Sequence, residues 1–286
     1  MPDVSDAPPD PPLTRALSRA RTRAGAAASG PLTLPVPQTP VQPLLTVAVV
    51  ALAGLLTITA FAGPPMVALA VALGAGVMAW GWAGLLGLPS PRGTSAVLAV
   101  GAAGAIGTVL ATREDPFLAW MPAALAGAMI VAFLHQLARR DARPRLVESV
   151  ASTITAIAIV VSGASLVALP RIEHGASVVA IASAAVAVSA ITDLAGGSRR
   201  LSSWLLPLAM LAGGVCAIVV GQLLGAPGWG AAALLGVLTA GVSHAVRRVL
   251  ATLPAISGAR SQLVSASASV LTCGVVVYVV GRLWIA

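Results

Sequence analysis

Two short stretches concentrate the residues able to do chemistry in an otherwise apolar chain: FLHQLARRDARPRLVESV, residues 133–150, and SHAVRR, residues 243–248. In the first, His135 is followed by Arg139 and Arg140; in the second, His244 is followed by Arg247 and Arg248. Histidine is the side chain whose unperturbed pKa, about 6.5, places proton uptake in the physiological range. Arginine keeps its charge throughout that range and offers a planar fork of donors that fits phosphate or carboxylate. A histidine one turn ahead of an arginine pair suits a paired gate or an anion site. His135, Arg139, Arg140, His244, Arg247 and Arg248 are therefore the candidate binding residues. A plainer role fits them as well, with each imidazole bonded to a neighbouring helix or to interfacial water and the arginines merely resisting translocation.

Other chemistry finds little support. The chain shows no metal-ligand spacing, nucleotide-binding glycine loop or hydrolase elbow. Its two cysteines, Cys216 and Cys273, fall inside apolar runs and read as small hydrophobes. No catalytic residue, metal or cofactor is expected, and an enzymatic role is the less favoured one. In span number the chain resembles membrane cytidylyltransferases that make lipid precursors. The acidic residues that would hold metal and nucleotide are missing, and Glu148 and Asp193 alone approach membrane depth, which argues against metal-dependent phosphotransfer.

These residues must be positioned by membrane helices. Hydrophobic residues make up 58% of the chain and charged residues 9%, and apolar runs near twenty residues recur, more than a soluble core would hold. The runs are continuous in Ala, Val, Leu, Ile and Gly rather than alternating, so the fold class is all-α, a polytopic helical membrane protein, and not a β-barrel. Runs able to cross about 30 Å of hydrocarbon give nine spans. They are 43–62, 65–88, 94–112, 116–138, 149–169, 176–195, 203–223, 229–246 and 262–284. Two joins, at AGPPM and ATREDP, are tight enough that a hairpin short of a full crossing is conceivable there.

With the N-terminus in the cytoplasm, fourteen of the seventeen arginines fall on the inner side, leaving Arg113, Arg171 and Arg282 outside. A miscount of one span would scramble that asymmetry, so nine spans and an N-in, C-out orientation in the cell membrane support one another. Trp120 and Trp229 are expected at the outer interface and Trp80, Trp82 and Trp204 near the inner one. The basic residues are all arginine, with no lysine or asparagine, a bias expected of a GC-rich bacterial genome.

Residues 1–42 form a Pro-rich cytoplasmic tail preceding the transmembrane domain 43–286. Within it, 12–27 reads either as a short interfacial helix on anionic lipid or as an unstructured basic segment that fixes topology. The stretch 119–135 aligns without a gap against 228–244, at a constant offset of 109 residues that pairs Trp120 with Trp229 and His135 with His244. That likeness points to two parallel four-span repeats, 65–169 and 176–284, with the first span outside both. GAAGAIG, with Gly101, Gly104 and Gly107, reads as a surface for close helix approach.

Three functions remain open. A permease or transporter fits the span number, the repeat and the polar groups in the spans. A non-catalytic component, assembled as a homo- or hetero-oligomer through small-residue faces, fits equally apolar helices. A membrane-embedded lipid-handling enzyme would use the inner arginines on anionic headgroups. The expected partners are the bilayer and such headgroups, with no nucleic acid. The permease reading leads.

Overall fold

The structure is a computed structural model that describes residues 42–139, 145–197, 203–226 and 228–285. The expected tail lies outside these residues except for Gln42, as does Arg140. All regular structure among the described residues is helical: α1 Pro43–Ala62, α2 Pro64–Leu85, α3 Pro91–Ala111, α4 Met121–Ala138, α5 Leu146–Ala164, α6 Gly175–Thr192, α7 Leu205–Leu223, α8 Trp229–Leu250, α9 Ala259–Leu271 and α10 Gly274–Val280. Short 3-10 turns continue α5 through Ser165–Arg171 and α6 through Asp193–Gly197, and α9 and α10 share one span, Ala259–Leu283. Nine spans among the described residues are thus long and apolar enough to cross a membrane.

Boundaries follow local chemistry. Proline occupies the first turn of α1, α2, α3 and α4, where its missing N–H costs no hydrogen bond. The tight AGPPM join leaves two full helices of 20 and 22 residues, because Gly63 alone turns the chain at φ 101°, a conformation that favours glycine. The fourth helix starts at Met121 rather than at 116, after turns that follow Asp115. The eighth continues to Leu250, four residues past expectation, carrying Arg247 within the helix.

In a bilayer, helices associate through close packing rather than by exclusion from water, and small residues set how close they come. Such an approach brings α7 onto α8: a Cβ at Gly213 would lie 2.3 Å from that of Ala240, and one at Gly236 would lie 2.4 Å from that of Ala217. Of the expected glycine triplet only Gly101 faces a neighbour, Ala128 of α4, while Gly104 and Gly107 have open space around them.

The first span is not peripheral. It packs against α6, α2 and α9. The helices that the expected repeat would pair have different neighbours: α3 lies against α5 as well as α2 and α4, whereas α7 lies against α6 and α8.

Bonds between distant segments pair up the span ends as an alternating nine-span path requires. At one end Arg145 donates to the Gly87 carbonyl at 2.8 Å and Arg260 donates to the Trp80 carbonyl. At the other, Arg171 caps α3 through the Val109 and Thr112 carbonyls at 2.9 and 2.6 Å, and Arg282 pairs with Asp115. Among the described arginines, 92, 139, 145, 247, 248 and 260 belong to the first end and 113, 171 and 282 to the second. Trp80, Trp120, Trp204 and Trp229 are exposed, but Trp82 is buried and donates its indole N–H to the Ser152 carbonyl at 3.0 Å. The core gains that anchor at the expense of an interfacial one.

Candidate functional site

The last turn of α8 and the last turns of the sixth span build one buried ionic cluster. Asp193 begins the 3-10 turn that ends the sixth span, and its two carboxylate oxygens have different partners. Oδ1 lies 2.6 Å from His244 Nδ1, and Oδ2 accepts from Arg247 Nε at 2.7 Å. The same guanidinium donates through Nη1 to Ser243 Oγ at 2.5 Å and through Nη2 to Ser189 Oγ at 2.9 Å. Ser189 passes the chain on to the Ala240 carbonyl at 3.0 Å. Arg247 and His244 are each only 3% exposed.

Helical spacing explains how so few residues achieve this. Ser189 and Asp193 lie four apart at the end of the sixth span, and Ser243 and Arg247 lie four apart on α8, so each pair shares a face. An arginine buried among apolar helices is tolerable only when a carboxylate and further acceptors meet its fork. An ionised carboxylate can only accept, so His244 carries its proton on Nδ1 when it bonds Asp193. With Nε2 bare the cluster holds one positive and one negative charge.

The histidine of the first stretch has different surroundings. His135 Nε2 lies 3.2 Å from Ser90 Oγ, and the ring packs on Gly93, where an added Cβ would lie 1.8 Å from the imidazole. Beside it Gln136 donates to Ser149 Oγ at 2.9 Å and accepts from Arg139 Nη1 at 3.0 Å. The structure thus places His135 and Arg139 in one polar group, at the junction of α4 with α3 and α5. His244 and Arg247 belong to a second, between α6 and α8. The helices carrying the two groups pack on different neighbours, α4 on α3 and α5, α8 on α6, α7 and the ninth span. Arg248 is half-buried on the adjoining face of α8, and Arg140 lies outside the described residues.

A second feature, absent from the expectations, is irregular helix in two spans. In the ninth, the hydrogen-bond ladder loosens at Thr272 and Cys273, between α9 and α10, while both residues keep helical dihedral angles. Ser162 of α5 bridges the loosened turn: its hydroxyl donates to the Thr272 carbonyl at 2.8 Å and accepts from the Val275 N–H at 3.0 Å. A Cβ on Gly274 would lie 2.0 Å from the Ser162 carbonyl oxygen, so only glycine permits this approach. Three residues on, at Ser165, the fifth span itself changes from α to 3-10. Cys273 Sγ meanwhile reaches the Thr239 carbonyl of α8 at 3.4 Å.

Thr239, Ser243 and Arg247 follow one another at four-residue steps, so a single face of α8 runs from the loosened turn to the ionic cluster. Asp193, Ser189, Ser243 and Ser162 are the residues that sequence reasoning missed as partners. The available signal was polar residues four apart in two apolar spans that end on the same side. No protein-family model, curated protein or solved structure matches this chain.

Proposed function

We propose that the protein is a permease-like, non-enzymatic carrier of the cell membrane, with its N-terminus and arginine-rich end in the cytoplasm and its C-terminus outside. The observation that carries this reading is the loosened turn of the ninth span at Thr272–Cys273, which keeps helical dihedral angles but is bridged by Ser162 of the fifth span just before that span tightens to 3-10. At membrane depth, irregular turns are satisfied by neighbouring helices, and carriers often bind at discontinuous helices. The two spans also hold corresponding positions, last of four, in the proposed parallel repeat. The Thr239–Arg247 face of α8 joins the ionic cluster to the loosened turn. His135, Arg139 and Arg248 then form the outer part of the cytoplasmic mouth. The distribution of arginines supports the orientation, because the end with six of the described arginines is the one that would resist translocation.

Cys273 at the loosened turn makes the reading testable. In a Cys216→Ser chain reconstituted in vesicles, it is the single thiol. A moving carrier exposes it to a small water-soluble thiol reagent at a measurable rate, and at fixed pH that rate changes in His244→Gln, which loosens the face of α8 that reaches Cys273. A thiol inert in vesicles, yet reactive once the chain is unfolded in SDS, means a solid interior and a structural assembly component instead. A C-terminal reporter active only in the cytoplasm overturns the orientation.

A further inference from the structure

Independently of the carrier reading, one lateral groove has the features of a lipid site. It lies between α1, α2 and α9, has a volume of about 260 Å³, and is lined by Ala48, Ala51, Leu73, Val77, Leu263 and Ser267. Small residues on α1 give it depth, and Leu73, 57% exposed, shows that it opens sideways rather than into the bundle. About one turn from Val77 on α2 and from Leu263 on α9, beyond the lining itself, stand Trp80 and Arg260. The guanidinium stacks over the indole at 4.2 Å from the ring centroid and donates once to the Trp80 carbonyl. Among the described residues Arg260 takes no other hydrogen bond, which leaves most of its five donors for a ligand. The residue itself is exposed.

We infer that this groove binds one anionic phospholipid, an acyl chain lying against Ala51 and Leu73 and the phosphate held by Arg260 beside Trp80. The arrangement matches the order of a lipid, apolar below and charged above. An indole at that level suits the headgroup boundary, and an arginine fork fits a phosphodiester. A second copy of the chain is a poorer occupant, because a symmetric contact through this groove would bring two Arg260 guanidinium groups together. A larger groove between α2 and α3, about 370 Å³, is lined by residues such as Ala72, Gly76, Ala103 and Gly107, with nothing in its lining to select a headgroup.

The experiment is a lipid titration of the purified full-length chain followed by native mass spectrometry, with phosphatidylglycerol and phosphatidylcholine of identical acyl chains. The chain binds one phosphatidylglycerol in preference to phosphatidylcholine. Arg260→Gln weakens that binding about five-fold, the equivalent of one arginine near an anionic surface, and leaves phosphatidylcholine unchanged. Ala51→Phe, which fills the groove from its exposed side, lowers retention of both lipids. Arg113→Gln, at the other end of the protein, changes neither. Equal binding of the two lipids by the unmodified chain, or undiminished phosphatidylglycerol binding by Arg260→Gln, overturns the site. So does an Ala51→Phe chain that keeps its lipid but loses a dimer, since the occupant is then a second copy. Arg260→Gln is a surface change and carries the test even where the bulkier substitution impairs folding.

Discussion

At the end of α4, His135 is half-buried, bonded to the Ser90 hydroxyl at 3.2 Å and resting on Gly93. At the end of α8, His244 is 3% exposed and bonded to the Asp193 carboxylate at 2.6 Å, with Arg247 on the other carboxylate oxygen. The two occupy matching positions in stretches that align without a gap, and each precedes an arginine pair. What separates them is their neighbours. The fourth helix packs on two others, while the eighth packs on α6, α7 and the ninth span. Deeper burial of cationic side chains demands a carboxylate, and Asp193 meets that demand. The serine beside His135 could not. A motif in a membrane helix therefore names the chemistry available, and the helices around it decide its partners: the arginine is buried in both, Arg139 on Gln136 and Arg247 on Asp193, while the histidine is buried on a carboxylate in one and half-exposed beside a hydroxyl in the other.

The largest test of this contrast removes Asp193. Asp193→Ala leaves Arg247 buried without a counter-charge and is expected to cost about 3–5 kcal/mol, read from SDS-denaturation titrations in mixed micelles. Adding Arg247→Leu removes the orphaned charge and recovers most of the loss. Glu148→Gln, at the exposed Arg145–Glu148 pair, costs well under 1 kcal/mol in the same assay. Equal effects of Asp193→Ala and Glu148→Gln would mean that the buried cluster is no different from a surface ion pair.

The histidines come next. His244→Ala removes a hydrogen bond to a charged group and exposes the cluster to a cavity, for an expected loss of about 1.5–3 kcal/mol. His135→Ala gives up a neutral bond to a half-buried serine, about 0.5–1.5 kcal/mol. A reversed order in the same titrations would show that the α4 site, not the α8 site, holds the tighter packing.

The sequence carries the frame of this fold in a way it cannot carry the partners. Nine apolar runs are legible because each span must satisfy its own backbone within the bilayer, which makes helix length and hydrophobicity local properties. Gly63 and the first-turn prolines mark where helices begin for the same local reason. The turn at Thr272–Cys273 is different, since neither residue disrupts a helix by itself. Its loosened ladder is bridged by Ser162, 110 residues before Thr272, whose hydroxyl bonds both sides of the turn. Asp193 was visible as an acid near a span end, yet its choice of His244 over any other cation depends on α6 lying against α8. The repeat suggested by the aligned stretches pairs the two irregular spans but also pairs helices with different neighbours, α3 with α7. Sequence likeness alone does not rank those observations.

The smallest expected effect is also the most discriminating. If His135 and His244 face each other across one cytoplasmic gate, the double change His135→Ala/His244→Ala departs from the sum of the single changes, because each substitution removes the partner of the other. The structure gives them separate partners, Ser90 on one side and Asp193 on the other, on helices that pack against different neighbours. Sites without shared contacts add to within about 0.5 kcal/mol, and additivity of that order is the expected stability result. The thiol-labelling rate at Cys273 supplies a second readout. At fixed pH His244→Ala alters that rate, whereas His135→Ala leaves it unchanged, because only α8 carries Thr239 to Cys273. A labelling response that requires both histidines would join the two polar groups into one gate despite their separate packing, and would make the internal likeness of the two stretches functional as well as architectural.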